Sequence, residues 1–69
     1  MIAVFKSRGE TMTFYNLLRR RGVRATTVPT PEKRGDMCGV SVAFPDSARY
    51  LASQVVSSGS FFGFIGFIG

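Results

Sequence analysis

Cys38 is the single cysteine of a 69-residue chain that contains no histidine. Without imidazole, Ser-His-Asp and Cys-His nucleophile systems are excluded. Zinc sets that need imidazole go with them, and one thiol cannot supply the remaining ligands. Nor can one cysteine build a disulfide framework. What a lone thiol can offer is a nucleophilic thiolate, wherever its surroundings favour that form. The residues before it fit that use. Pro29 and Pro31 stiffen the start of the segment Val28–Gly39 into an extended form. Gly39 removes the side chain next to the thiol and leaves room for a substrate or a partner backbone. Lys33 and Arg34 favour thiolate over thiol, and Asp36 opposes them. The competing reading of Cys38 is a small buried hydrophobe, a common fate of free cysteine.

The elements around the thiol are legible from pattern. Ile2–Phe5 is a β-branched and aromatic run and predicts a strand. Ser7-Arg8-Gly9-Glu10 matches a capping box, with Ser7 accepting from the Glu10 N–H and Glu10 reaching back to the N–H of Ser7. Phe14, Leu17 and Leu18 then form one apolar helical face, and Gly22 suits the left-handed residue that ends such a helix. Val23–Val28 predicts a second strand, which Pro29-Thr30-Pro31 stops and confines to a sheet edge. After a loop over 32–37, Val40–Phe44 alternates as a third strand. Asp46 or Ser47 is the expected N-cap of a second helix whose stripe is Ala48, Leu51, Ala52 and Val55, ended by Ser57-Ser58-Gly59. Phe61–Ile68 reads as a last strand punctuated by Gly63 and Gly66.

The order β-α-β-β-α-β predicts an α+β, ferredoxin-like two-layer sandwich, with the first and third strands central and the second and fourth at the edges. That topology brings the loop after the first strand and the loop joining the second and third strands to one end of the sheet. The first carries Lys6 and Arg8 on either side of Ser7, at the start of a helix with unpaired N–H groups and a partial positive charge. The second carries Cys38. The expectation is therefore a thiolate favoured by the helix end, Lys6 and Arg8, and partly opposed by Glu10, Glu32 and Asp36.

The net charge is +5, much of it from Arg19, Arg20, Arg21 and Arg24. These complement the dipole at a helix C-terminus, and no base-reading motif accompanies them, so no specific nucleic-acid partner is expected. The Phe61, Phe62, Phe64 and Phe67 rings are expected to fill the core rather than stack on bases. Met1–Phe5 is too short for a signal-peptide core, and eight residues at Phe61–Ile68 cannot span a bilayer as a helix. The expectation is one domain over 1–69 in the cytoplasm, with a reduced thiol and no membrane partner. Because the last strand is apolar on both faces, a homodimer that covers it is expected as well.

The whole pattern resembles the small family of selenium/sulfur carrier-like proteins. The resemblance rests on Val28-Pro29-Thr30-Pro31, a six-residue gap, then Cys38-Gly39. It extends to a first strand ending in Val4-Phe5-Lys6-Ser7 and a helix ending near a glycine. The family often has a basic residue after the second proline, where this chain has Glu32. Small hydroxyl residues often precede its cysteine, where this chain has Gly35-Asp36-Met37. The better-known sulfur-relay carriers place their cysteine in Cys-Pro-x-Pro, which is absent here. The resemblance implies a shuttle rather than a turnover enzyme. In it Cys38 holds sulfur or selenium as a persulfide-type adduct between donor and acceptor proteins, without a cofactor. The rival expectation is a non-catalytic binding or regulatory module of the same fold that self-associates through its sheet.

Overall fold

The computed structural model describes residues 1–32 and 35–69. The elements are β1 (Ile2–Phe5), α1 (Arg8–Arg20), β2 (Thr26–Pro29), β3 (Val40–Ala43), a 3₁₀ turn (Asp46–Ala48), α2 (Arg49–Ser58) and β4 (Phe64–Ile68). The sheet runs β2-β3-β1-β4 with every neighbouring pair antiparallel, the ferredoxin-like arrangement with β1 and β3 central.

Strand alternation splits the sheet into two faces. Ala3 and Phe5 of β1 and Val42 of β3 join Phe14 and Leu18 of α1 and Ala52 and Val55 of α2 in the core. Phenylalanine dominates it: the Phe5 ring lies 5.1 Å from Phe14, 5.5 Å from Phe61 and 5.3 Å from Phe64, all tilted. Val4 and Ser41 point to the face without helices. One row of that face runs Ile68, Ile2, Ala43, Thr26 across all four strands. No strand contains a charged residue.

Helix α1 ends as its glycine predicts. Gly22 has φ +81°, its N–H donates to Arg19 O at 3.1 Å, and the Val23 N–H donates to Leu18 O at 3.1 Å. These are the paired bonds of a Schellman motif. The motif also shortens the second strand. The expected Val23–Val28 becomes Thr26–Pro29, because Val23 is spent on the helix end and Ala25 N–H turns back to Val23 O at 3.0 Å. Pro29 closes β2 at the sheet edge, where its missing N–H leaves no gap in the ladder.

Three other boundaries move. The third strand stops at Ala43; Phe44 keeps its ring on the core face beside Val42, and its N–H donates to Met1 O at 2.9 Å while its carbonyl accepts from the Met1 amino group at 3.0 Å. The second helix takes no side-chain cap from Asp46 or Ser47; both lie in the 3₁₀ turn, and the Asp46 carboxylate accepts from the Met1 amino group at 3.0 Å. The last strand begins at Phe64, not Phe61. Phe61 folds back onto Phe5 and Phe14, and Phe64 N–H closes a turn on Phe61 O at 3.2 Å. Phe62 is 94% exposed, contrary to its expected place in the core. β4 also carries a bulge at Ile65, where Val4 pairs with Gly66 and Phe5 with Phe64. No helix among the described residues is long and apolar enough to cross a membrane.

Candidate functional site

Cys38 lies at the end of the sheet where β1 runs into α1, as the topology requires. Its backbone is held on both sides. The Cys38 N–H donates to Phe5 O at 2.9 Å, and the Thr30 hydroxyl donates to Cys38 O at 2.6 Å. Thr30 N–H adds a bond to Gly39 O at 3.1 Å. Because the single Thr30 hydroxyl proton goes to a carbonyl, the buried Ser41 hydroxyl is the donor in its 2.6 Å contact with Thr30 Oγ1. A hydroxyl relay thus runs Ser41, Thr30, Cys38. The cysteine is free and half-buried.

The prolines act from the β2 side. Pro29 is the exposed last residue of β2 and Pro31 is half-buried. Glu32, at φ +49°, and Gly35, at φ +54°, both have left-handed backbone. Left-handed backbone at a non-glycine residue such as Glu32 is uncommon. Gly39 is under no internal demand. A Cβ built there meets nothing within 4 Å beyond its two chain neighbours, so Gly39 itself borders open space.

The cations divide. Lys6 Nζ lies 3.4 Å from Asp36 Oδ2, so its charge is spent on the thiol loop two residues before Cys38. Arg8 is the exposed first residue of α1 and forms no ion pair among the described residues. Lys33 and Arg34, expected to favour thiolate, lie outside the described residues. The capping box forms in part. Ser7 Oγ accepts from the Glu10 N–H at 3.2 Å. Glu10, however, does not reach back to the Ser7 N–H. One of its oxygens takes the Ser7 hydroxyl at 3.1 Å, and the other takes the Gly63 N–H at 2.9 Å. Gly63 is buried, and a Cβ on it would run into the Glu10 carboxylate and approach Lys6 Cβ to 3.1 Å. The segment before β4 is thereby locked to the start of α1, beside the cysteine loop.

Sequence reasoning named Cys38 and its prolines but missed Thr30, Ser41 and Gly63. A hydroxyl between two prolines and a serine inside an otherwise apolar β3 are the available signals for the first two. Among the described residues no three or more His, Cys, Asp or Glu side chains gather as a metal site. Nor does Cys38 line the depression of about 450 Å³ beside the α1 N-terminus, which is formed by Ser7, Gly9, Glu10, Leu17 and Phe61 among others.

The family model described as "Putative Se/S carrier protein-like" matches residues 1–60, a span that takes in Pro29, Pro31, Cys38 and Gly39. No curated protein and no solved structure matches the chain. With most of its length under that match, the ferredoxin-like chain belongs to the Se/S carrier protein-like family.

Proposed function

We propose that the protein carries sulfur or selenium on Cys38 between a donor and an acceptor protein, in a reducing compartment such as the cytoplasm. The Cys38 thiolate attacks the terminal sulfur of a donor persulfide, R–S–SH. The Cys38–S bond forms, the donor S–S bond breaks, and R–S⁻ leaves, so Cys38 becomes Cys38–S–SH. An acceptor thiolate then repeats the displacement on the terminal sulfur and regenerates the Cys38 thiolate. Selenium follows the same path from R–S–SeH. The exchange needs no general base, which suits a chain without histidine. The observation that carries the reading is a free, half-buried cysteine whose backbone N–H and C=O are both tied down, next to an exposed Gly39.

The test loads the reduced protein with inorganic polysulfide, removes the reagent, alkylates, and reads Cys38 by mass spectrometry. The expected result is one added sulfur on the Cys38 peptide and none in Cys38→Ser. The adduct should outlive that of the urea-unfolded chain and pass to added glutathione. An adduct no longer-lived than in the unfolded chain, or one that is not passed on, counts against a carrier.

A second reading, self-association through the sheet, is favoured by the charge-free strands and by Ile65 and Ile68, 39% and 41% exposed on the β4 edge. It is compatible with the first.

A further inference from the structure

The loop before β4 contributes to the cysteine end of the molecule, and the Phe5–Lys6 peptide unit makes the connection. Its carbonyl accepts from Cys38 N–H at 2.9 Å, and its N–H donates to Gly63 O at 2.8 Å. Cys38 N and Gly63 O are thus at most about 8 Å apart. The residue before Gly63 is Phe62, 94% exposed while its neighbour Phe61 packs into the core. Gly63 is held by Glu10 and Lys6, so Phe62 is presented from a fixed backbone rather than from a loose tip. Arg8 stands at the same end, on the first residue of α1. A cation is disfavoured there by the helix dipole, and Arg8 has no carboxylate partner among the described residues. An exposed aromatic residue and a cation without a carboxylate partner among the described residues therefore stand at the end of the sheet that carries Cys38, on a chain of net charge +5.

We infer that Phe62 and Arg8 form the docking surface for the protein that exchanges sulfur or selenium with Cys38. Its partner is one whose reactive cysteine is bordered by apolar side chains and carboxylates. The inference rests on the carrier reading and adds the partner's chemistry to it. An exposed aromatic anchor inside a charged rim is the usual composition of a protein contact, and opposite charge raises the rate of encounter.

Two cysteine peptides of equal length serve as probes, each activated as its 2-thiopyridyl disulfide. One has leucine and aspartate around the cysteine, the other serine and lysine. Attack by Cys38 forms the Cys38–peptide disulfide and releases pyridine-2-thione, which is followed by absorbance. The wild type should react several-fold faster with the acidic, apolar peptide, and this ratio should fall as salt is raised. Phe62→Ser should reduce the ratio while leaving the rate with 2,2′-dithiodipyridine unchanged. Arg8→Ala should reduce the ratio too, and a ratio is insensitive to any change in the thiol itself. Equal rates with the two peptides, or a preference that survives both substitutions, would overturn the proposal. So would sedimentation in which Phe62→Ser dissociates a homodimer while the peptide ratio stays as in wild type. The polysulfide experiment above reports on the carrier reading independently, since it uses no docked partner.

Discussion

Cys38 and Gly63 are bonded to opposite sides of one peptide unit, the carbonyl of Phe5 and the amide of Lys6. Residues from the β2–β3 loop and the α2–β4 loop thereby meet across the end of β1. The carboxylate of Glu10 secures the same junction from α1 by accepting the Gly63 N–H at 2.9 Å. The placement of the Cys38 backbone and the seating of β4 both depend on one backbone junction.

Gly63→Ala should destabilise the fold. The new methyl takes the space of the Glu10 carboxylate and crowds Lys6 Cβ, so Glu10 must release the Gly63 N–H or the loop must shift. Overpacking of this kind costs about 1–3 kcal/mol. Urea unfolding should show a lower midpoint with an unchanged slope. A wild-type midpoint would mean that the junction does not hold the loop.

Thr30→Val should loosen the thiol loop. It removes the hydroxyl that serves the Cys38 carbonyl and strands the buried Ser41 hydroxyl. Leaving a buried polar group unpaired costs about 1–3 kcal/mol. Hydrogen exchange at the Cys38 amide should accelerate more than exchange in the α1 interior. Adding Ser41→Ala should recover part of the stability, because the stranded hydroxyl is then gone. A double variant no more stable than Thr30→Val would contradict the relay.

Self-association should depend on the β4 side of the charge-free sheet face. At high micromolar concentration the wild type should sediment as a reversible dimer. Ile68→Lys, which places a charge in the row Ile68, Ile2, Ala43, should return it to monomer. A wild type that stays monomeric in that range would remove this reading and leave the carrier proposal untouched.

The arginines at the end of α1 should not select nucleic-acid sequence. Arg19 donates to Ala25 O at 3.3 Å, and its guanidinium carbon stands 5.8 Å from the centre of the Tyr15 ring. Its side chain is thus engaged within its own helix and the following turn. Binding to oligonucleotides should be weak, indifferent to sequence and lost as salt rises. Tight, sequence-selective binding at physiological salt would refute this.

The element order, the Ser7 cap, the Gly22 helix end and the cysteine loop's place in the chain are all legible in the residues alone. Each depends on residues a few positions apart, whose spacing already settles which groups can meet. Where strands begin and end depends on long-range packing, because Val23 and Phe61 are claimed by the helix turn and by the core before the ladder can use them. The tertiary structure also decides the partner of Glu10, which lies 53 positions away at Gly63 rather than at the local Ser7 amide. The same holds for Phe62. Its aromatic neighbours Phe61 and Phe64 look no different in sequence, but packing draws them inward and leaves Phe62 in solvent. Hydrophobicity is a property of the residue, whereas burial depends on which residues the fold brings to the same place.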